Sequence, residues 1–600
     1  MRRHSGFLAQ CVVAVCSIAS RGLATILSTR APEVTVKNGT YSGMYSPGYH
    51  QDFFLGMPYA QVPDRFAVAT GLRTSWDGVH NATKYPAHCV GYGWDEPGYE
   101  VSEDCLYLNV VRPSGVRDTS SLPVAVWLHG GGLFMGGSAD KRYNLSFIVE
   151  HSVKIGRPII GISLNYRLSA FGFLSGREAM ESGVTNIGFK DQRLALQWVH
   201  ENIEAFGGSP DKVTIFGESA GAESVSAQVL AYNGRDDKLF RGAVGQSGFG
   251  AVIKRRPYNG GLNDTELQQA TYDQLVRNTS CASHVGTPES LDCLRKAPFE
   301  EVNRALNVSQ VGPWVPVLDH DFLHDYPTNQ LRKGNFVKVP LLVGVTTDEG
   351  GGFVTDSTNS DEDVREALRA QLISNNTAEN VDQLLKELMY LYPNVQSIGI
   401  PSLKTWSHII QPGDAGSPNL GSQYRRMAAI VGDMTFHFSR RRANFAWFEH
   451  GVPSYAYRFN VLVNGAPAPF GSAHFQEASY QNPQSYPFLV AFVFHNWNGE
   501  GYSPANPFGG NDAAYTAKAT ALSTNMSTAW INFINELDPN GREDIGLPKN
   551  ETWPKYDRTA GGGVGRNIVW DLDGAFVEMD DWRAEGINWM IENAMTVFGT

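Results

Sequence analysis

The sequence predicts an α/β fold, with a large, mostly parallel central sheet flanked by helices. Runs rich in β-branched residues alternate with helical patterns, and they are clearest at 122–134, 157–168, 211–221 and 339–351. Between the second and third runs, residues 186–208 carry apolar residues at helical spacing and end in two glycines. Such alternation favours a parallel sheet covered on both faces. The continuous apolar character of the runs agrees, since such strands are buried on both sides.

Residues 1–24 have the pattern of a secretory signal peptide. Arg2 and Arg3 precede an apolar run from Phe7 to about Ala19, and small residues follow. That run is too short to span a bilayer comfortably, and no later segment offers about 20 consecutive apolar residues, so we expect no transmembrane segment. A mitochondrial transit peptide is the alternative interpretation, since several arginines precede the first acid, Glu33.

Residues 25–600 are predicted to form a single domain, because no repeat, low-complexity tract or Pro/Ser-rich linker divides them. The segment from about 351 to 441 is polar and has no strand series of its own, so we interpret it as a helical insertion beside the functional site. The amphipathic segment 581–595 is predicted to be a final helix that packs against the sheet.

Composition and charge exclude several classes of function. Apolar residues make up 42% of the chain and charged residues 18%, which is a globular composition. The formal net charge of −12 argues against a nucleic acid or an anionic membrane as partner. No H-E-x-x-H or glycine-rich dinucleotide pattern is present, so we expect neither a metal nor an organic cofactor. Oligomeric state is not predicted.

Cysteines and glycosylation sequons favour a secreted protein. The four cysteines outside the leader allow three pairings, of which the local one, Cys89–Cys105 with Cys281–Cys293, closes two short loops. Free buried thiols are the alternative. Sequons for N-glycosylation favour the same oxidising route, and they lie at Asn38, Asn81, Asn144, Asn263, Asn278, Asn307, Asn375, Asn525 and Asn550.

The stretch "KVTIFGESAGAESV" (212–225) contains a candidate nucleophile, Ser219. A strand-like run precedes it and a helical pattern follows, so the chain must turn within a few residues. Gly217 and Gly221 remove side chains that would collide in such a turn. The serine is then exposed above the sheet, at a helix N-terminus that favours developing negative charge.

The glycine-rich segment "HGGGLF" (129–134) follows another strand and predicts an oxyanion-binding loop. Backbone N–H groups of Gly131 and Gly132, together with that of Ala220 after the serine, are the expected donors. A glycine-rich loop used only for tight packing is the alternative.

A set of segments resembles the type-B carboxylesterase/lipase family, which includes cholinesterases and bile-salt-stimulated lipase. The resemblance extends from "FLGMPYA" (54–60) to "WPKYD" (553–557). It implies the α/β-hydrolase fold, a Ser–Glu–His triad in that chain order, and a structural ion-pair cluster of Glu103, Arg167 and Asp191. The segments occur in the family's order: "SEDCLYLNV" (102–110), "HGGGLF", "NYRLSAFGFL" (165–174), "DQRLALQWV" (191–199), "FGGSPDKVTIFGESAG" (206–221) and "VGQSG" (244–248).

Glu349 is predicted to be the triad acid. "VGVTTDEGGGF" (343–353) resembles the family's strand-end V-G-x-x-x-D-E-G, in which the glutamate has this role. The loop after a buried strand also suits an acid whose carboxylate must fix the tautomer of the imidazole. Asp348 is the alternative, although an aspartate there more often caps the loop.

His474 is predicted to be the general base. It follows a strand-like run in the loop "PFGSAHFQEASY" (469–480), which resembles the family's strand, loop and H-G-x-E arrangement. Phe475 stands where the family commonly has glycine, a departure that concerns the backbone path of the loop. The other histidines after the acid are explained by helices, a helix end or the insertion: His437, His495, His450 and His408.

Three further side chains are expected beside the triad. Glu218 resembles the family's glutamate before the nucleophile, where it orders a water or steadies the imidazolium; a buried acid bonded to backbone is the alternative. Ser247 is expected to be a nearby hydroxyl and no second nucleophile, because Phe249 replaces the glycine that a sharp turn needs. Glu477 keeps the acid three residues after His474.

The sequence therefore predicts a secreted serine carboxylic-ester hydrolase that forms an acyl-enzyme intermediate and acts on a small-molecule or lipid ester. A lipase for long-chain acylglycerols is the alternative within the same chemistry. A catalytically silent, cholinesterase-like binding module is the alternative of a different class, and the occupied triad positions argue against it.

Overall fold

The computed structural model describes residues 31–250, 265–307, 312, 314–369, 378–395, 419–466, 468–474, 488–503, 505–509, 512–559 and 561–595. The chain from Pro32 onwards belongs to one compact unit. The predicted signal peptide at 1–24 lies outside the described residues.

The strands are, in chain order, β1 (Glu33–Val36), β2 (Gly39–Ser42), β3 (Met44–Ser46), β4 (Gln51–Pro58), β5 (Val79–Asn81), β6 (His88–Cys89), β7 (Val101–Ser102), β8 (Tyr107–Pro113), β9 (Leu122–Leu128), β10 (Ile160–Leu164), β11 (Gly208–Glu218), β12 (Gly242–Gln246), β13 (Leu341–Thr346), β14 (Ser454–Phe459), β15 (Arg566–Trp570) and β16 (Phe576–Met579). Eleven of them form one sheet in the order β16-β15-β14-β13-β12-β11-β9-β10-β8-β4-β3. From β15 to β10 the neighbours pair in parallel, and antiparallel strands extend both edges. The predicted α/β class, with a mostly parallel sheet, is confirmed.

The helices are α1 (Ser146–Lys154), α2 (Ser169–Phe173), α3 (Arg177–Glu181), α4 (Ile187–Asn202), α5 (Ala220–Gly234), α6 (Thr265–Arg277), α7 (Glu289–Lys296), α8 (Phe299–Leu306), α9 (Pro327–Lys333), α10 (Asp361–Arg369), α11 (Ala378–Leu391), α12 (Tyr424–Gly432), α13 (Phe438–Glu449), α14 (Phe488–Phe494), α15 (Ala513–Glu536) and α16 (Ala584–Glu592). The two smaller sheets contain β1, β2 and β5, and β6 and β7.

Helices cover both faces of the sheet because alternate residues of its strands face opposite ways. In β9, Val124 and Val126 join a core cluster that contains Leu196 of α4 and Val225 of α5. Ala125 and Trp127 alternate with them and join a second cluster, on the other face, with residues of α1, α14 and α15. The apolar run at 122–134 is therefore a strand buried on both sides, as strands in parallel sheets are.

The segment predicted as a helical insertion at about 351–441 contains α10, α11 and α12 in its described part, and its last helix, α13, continues to Glu449. These helices form a third apolar cluster, to which α16 contributes Ile587 and Met590. The prediction that the last helix packs against the sheet is wrong, because its buried face lies against the helices of this cluster.

Two disulfides, Cys89–Cys105 and Cys281–Cys293, close local loops of the chain. This is the local pairing among the three that the sequence allows. No helix in the described part of the chain is both long enough and apolar enough to cross a membrane.

Candidate active site

The chain turns sharply at Ser219. β11 ends at Glu218 and α5 begins at Ala220, so Ser219 alone makes the turn. Its φ of 56° and ψ of −125° are rare for a non-glycine residue and cost on the order of 1–3 kcal/mol. A Cβ on Gly221 would lie 2.0 Å from the carbonyl oxygen of Leu128, so glycine is needed for α5 to start this close to β9. The strand–turn–helix arrangement read from the sequence is present.

Ser219, Glu349 and His474 converge at the carboxyl ends of parallel strands of the central sheet. Ser219 follows β11, Glu349 follows β13, and His474 lies in the loop after β14. The Nε2 atom of His474 is 3.0 Å from the Oγ atom of Ser219, and its Nδ1 atom is 2.7 Å from Oε2 of Glu349. A carboxylate accepts hydrogen bonds, so we assign the imidazole proton to Nδ1, which leaves Nε2 to accept the serine proton. This is the geometry of a general base facing a nucleophile.

The carboxylate of Glu349 is held by the backbone as well as by the imidazole. The N–H of Thr346 donates to Oε1 of Glu349 at 2.7 Å. Glu349 is 1% exposed and His474 is 2% exposed. Polar interactions are stronger where water is excluded, so each of these contacts contributes more here than it would at the surface.

Asp348, the alternative acid, braces the loop that carries His474. The N–H of Ser472 donates to Oδ2 of Asp348 at 2.8 Å, and the N–H of Asp348 donates to the carbonyl of Ser472 at 2.8 Å. Its carboxylate therefore acts on the loop backbone, whereas that of Glu349 contacts the imidazole. This geometry favours Glu349 over Asp348 as the partner of His474.

The glycine-rich loop after β9 lies directly beside Ser219. A Cβ on Gly130 would lie 3.3 Å from the Cβ of Ser219. Gly131 and Gly132 have φ values of 97° and 60°, which L side chains rarely adopt. Ala220 is the first residue of α5, so its N–H is at the positive end of that helix. All three predicted donors thus belong to backbone segments next to the serine.

Glu218 is a buried acid close to the imidazole. Its Oε1 atom is 4.0 Å from Nε2 of His474, and its Oε2 atom has no hydrogen-bond partner among the described residues. Burial and the nearby charge of Glu349 hold the pKa of Glu218 well above its ordinary value. Both effects favour the protonated form of Glu218, which carries no charge next to His474.

Ser247 lies at the end of β12 behind the candidate nucleophile. It is 1% exposed, its φ is 53°, and its Oγ atom has no hydrogen-bond partner within the described chain. A Cβ on the adjacent Gly248 would lie 2.3 Å from the carbonyl oxygen of Ser219. The turn at Ser247 and Gly248 therefore supports the backbone of Ser219. Glu477, the third side chain predicted beside the triad, lies outside the described residues.

The sequence did not predict that two aromatic rings contact the imidazole of His474. The ring of Phe436 is stacked on the imidazole with centroids 4.2 Å apart, and that of Phe353 lies 5.3 Å away. Phe353 comes four residues after Glu349, a position that the sequence shows to be close to the site. Phe436 comes from the helical insertion, and no local pattern marks it.

The other histidines after the acid lie elsewhere. His437 is buried in the π-helical turn before α13, and His450 is the C-cap of α13, as predicted. His495 follows α14 and stacks on His151, with centroids 4.1 Å apart. His408 lies outside the described residues.

The predicted ion-pair cluster needs a correction. Arg167 binds Asp191 through Nε and Nη2, at 2.7 and 2.6 Å. Glu103 instead accepts two hydrogen bonds from Arg65, at 2.7 and 2.8 Å. The carboxylate of Glu103 is engaged in that bidentate pair, so the cluster consists of two separate pairs.

The candidate glycosylation sites differ in accessibility. Asn38 is 7% exposed and its Nδ2 donates to the carbonyls of Leu72 and Thr74 at 3.3 and 3.0 Å. Both amide hydrogens are used in these bonds, so Asn38 is the least accessible of the described candidates. The remaining sites are exposed at Asn81, Asn278, Asn307 and Asn550, half-buried at Asn144 and Asn525, and outside the described residues at Asn263 and Asn375.

Among the described residues, no group of three or more His, Cys, Asp or Glu side chains has the arrangement of a metal site. The polar groups around Ser219 are those of a nucleophile, a base, an acid and backbone donors. They suit an acyl substrate whose carbonyl becomes an oxyanion.

Residues 30–563 match the sequence profile of the Carboxylesterase family. The chain belongs to that family. Lipase 4 of Diutina rugosa is 32% identical over 95% of this chain and 97% of its own length. Secreted lipase 1 of Botryotinia fuckeliana is 30% identical, over 94% and 93%. The crystal structure of EstA from Aspergillus niger superimposes with a TM-score of 0.75 at 25% identity, over 95% of this chain and 99% of that one.

Membership of the carboxylesterase family confirms the resemblance seen in the sequence and the α/β-hydrolase fold that it implied. This carboxylesterase-family protein is a carboxylic ester hydrolase.

Proposed function

We propose that this protein is a secreted serine ester hydrolase that works through a covalent acyl-enzyme formed on Ser219. The observation that carries the proposal is the continuous contact from Glu349 Oε2 to His474 to Ser219 Oγ, at 2.7 and 3.0 Å. A serine hydroxyl becomes a strong nucleophile when a base takes its proton as it attacks.

In the first half of the reaction, His474 takes the proton of Ser219 while the oxygen attacks the ester carbonyl. The oxyanion is stabilised by N–H groups of Gly131, Gly132 and Ala220. Glu349 stabilises the imidazolium and keeps its Nδ1 proton in place. His474 then gives its proton to the leaving alcohol, and the acyl group stays on Ser219.

In the second half, His474 takes a proton from water as that water attacks the acyl-enzyme. The same donors stabilise the second oxyanion, and His474 returns the proton to Ser219 as the carboxylic acid leaves. Oε1 of Glu218 lies 4.0 Å from Nε2, whereas Glu349 contacts Nδ1 at 2.7 Å, so Glu349 is the acid that stabilises the imidazolium.

Secretion is supported by the two disulfides and by relatives whose names describe secreted lipases. Exposed sequons at Asn81 and Asn550 fit the same route. Mass spectrometry of the protein purified from culture medium tests this part of the proposal, since a mature N-terminus near residue 25 and glycans at exposed sequons are expected.

A lipase for long-chain acylglycerols is a second candidate, favoured by relatives named lipases that match over nearly the whole chain. Hydrolysis of p-nitrophenyl esters from acetate to palmitate, by wild type and by Ser219→Ala, separates the possibilities. Loss of hydrolysis in Ser219→Ala supports the mechanism. A rise in rate above the solubility limit of tributyrin supports the lipase, and its absence supports the esterase. Equal rates in Ser219→Ala and wild type would contradict the role of Ser219.

A further inference from the structure

The ring of Phe436 lies almost flat on the imidazole of His474. Their centroids are 4.2 Å apart and their planes differ by 21°. Phe436 is 2% exposed, and the ring of Phe353 contacts both rings, with centroids 5.6 Å from Phe436 and 5.3 Å from His474. Phe353 is 41% exposed and tilted by 45° to the imidazole, so the buried ring of Phe436 is the one stacked on the face of His474.

By themselves, the two hydrogen bonds of His474 do not fix the plane of its ring. Contacts at Nδ1 and Nε2 define an axis, and the ring can still roll about that axis or lift out of its plane. The lone pair of Nε2 lies in the ring plane, so either movement misaligns it with the hydroxyl of Ser219. A flat neighbour against the face of the imidazole opposes both movements.

A change of helix geometry brings Phe436 to this position. α12 continues directly into a π-helical turn, Asp433–His437, in which the N–H of Phe438 donates to the carbonyl of Asp433 five residues earlier. A π turn contains more residues than an α turn, so it changes the direction in which later side chains point. Such turns occur frequently at functional sites.

Asp433, the first residue of the π turn, accepts hydrogen bonds from two residues outside this helical segment. Arg583 donates from Nε and Nη2 to the two carboxylate oxygens of Asp433, both at 2.7 Å. The hydroxyl of Tyr392 donates to Oδ2 of Asp433 at 2.6 Å. Asp433 is 0% exposed, so this pair is held in a dry environment in which its geometry is well defined.

The helix before the π turn also touches the turn that carries the acid. A Cβ on Gly350 would lie 1.9 Å from the carbonyl oxygen of Ala428 and 2.7 Å from the backbone nitrogen of Gly432. α12 therefore lies directly against the backbone next to Glu349. One continuous helical segment contacts the acid's backbone at one end and the base's ring at the other.

We propose that Phe436 is a positioning residue, whose ring, presented by the π turn, holds the imidazole of His474 in the plane that joins Glu349 to Ser219. The inference rests on the proposed function, because it assigns the orientation of that site's base. The stack acts throughout the reaction cycle. When the imidazole takes the serine proton, its positive charge also faces an aromatic ring, which attracts it.

The test compares Phe436→Leu with Phe436→Tyr and with Phe438→Leu. Leucine removes the flat ring and keeps an apolar side chain, whereas tyrosine keeps the ring. Phe438 is 3% exposed and packs in the apolar cluster of the helical layer, so Phe438→Leu controls for loss of core packing. Stability of each variant is measured by thermal melting.

For p-nitrophenyl butyrate we expect Phe436→Leu to lower kcat about tenfold with KM changed less than about twofold. The rate at which a fluorophosphonate labels Ser219 should fall by a similar factor, because that reaction uses the same base. Phe436→Tyr is expected to stay within about threefold of wild type and Phe438→Leu within about twofold. Should Phe436→Leu fail to fold, Phe436→Met carries the same comparison.

An unchanged kcat in Phe436→Leu, or a loss that Phe438→Leu reproduces, would overturn the positioning role. A loss confined to KM would also overturn it, because Phe436 would then act on substrate binding. The two proposals fail differently. If wild type is active, Ser219→Ala is inactive and Phe436→Leu matches wild type, only the positioning role fails. If Ser219→Ala keeps wild-type activity, the proposed function fails first.

Discussion

Replacing Glu349 by glutamine changes one atom next to His474, yet the structure predicts a large effect. In the native site, Oε1 of Glu349 accepts the N–H of Thr346 at 2.7 Å and Oε2 faces Nδ1 of His474, also at 2.7 Å. A glutamine has one oxygen and one NH₂ group. If its oxygen keeps the bond from Thr346, its NH₂ group faces Nδ1, and the imidazole must carry its proton on Nε2. In that tautomer Nε2 is unable to accept the proton of Ser219.

The magnitude follows from the cost of restoring the productive tautomer. The amide must flip, which puts its NH₂ group against the N–H of Thr346 and leaves a buried donor without an acceptor, at about 1–3 kcal/mol. The imidazolium also loses a charge-assisted hydrogen bond, which contributes about 1.5–3 kcal/mol. Together these amount to roughly 3–6 kcal/mol, or about 10²- to 10⁴-fold in kcat.

Steady-state hydrolysis of p-nitrophenyl butyrate measures the effect, with thermal melting as the check on folding. Asp348→Asn is the matched control, because its amide oxygen can still accept the N–H of Ser472, and we expect kcat within about threefold of wild type. A kcat for Glu349→Gln within tenfold of wild type would contradict the role of Glu349 as the partner of His474. So would an equal loss in Asp348→Asn, since the neighbouring acid would then be the partner of the base.

Three other predictions concern the turn, the buried histidines and a buried ion pair. Gly221→Ala places a Cβ 2.0 Å from the carbonyl oxygen of Leu128, so we expect the free energy of unfolding to fall by about 1–3 kcal/mol. We also expect a fluorophosphonate to label Ser219 in a smaller fraction of the molecules. A variant that melts and is labelled like wild type would contradict this prediction. Burial lowers the pKa of His151 to about 4 and that of His495 to about 3, from 6.5. The folded pKa lies below the unfolded one, so the contribution of these histidines to stability should be complete above about pH 6.5 and fall as the pH drops towards 4 and then 3. Urea denaturation of the double variant His151→Gln/His495→Gln should show a weaker dependence of the free energy of unfolding on pH across this window. Asp580→Asn removes the carboxylate that the buried Arg440 and Arg441 share, so urea denaturation should show a free energy of unfolding lower by about 3–5 kcal/mol. A change under about 1 kcal/mol would contradict a stabilising role of these ion pairs.

The sheet and the turn at Ser219 were predictable because their signals are local. A parallel strand buried on both faces is a continuous apolar run, and the turn at 217–221 needs glycines, which the sequence has at Gly217 and Gly221. The segments around Glu349 and His474 also follow strands. Their mutual contact was predicted from the order of family motifs and not from any local pattern.

Features that depend on the choice among distant partners escaped prediction. The resemblance placed Glu103 with Arg167, but the path of the chain brings Arg65 to the carboxylate of Glu103. Phe436 reaches His474 only because a π turn changes the helical register, which the 3.6-residue period does not reveal. The last helix has an apolar face, but an apolar face does not specify whether a sheet or other helices cover it.

The chain separation within the candidate triad has a consequence for folding. His474 lies 255 residues from Ser219 and 125 residues from Glu349. Contacts between such distant residues form slowly, since long stretches of chain must lose their freedom before the contact is made. Helical circular dichroism returns when local segments fold, whereas rapid labelling of Ser219 requires β11, β13 and β14 to be in place together. During refolding, the fraction of labelled serine therefore counts the molecules that have completed the sheet.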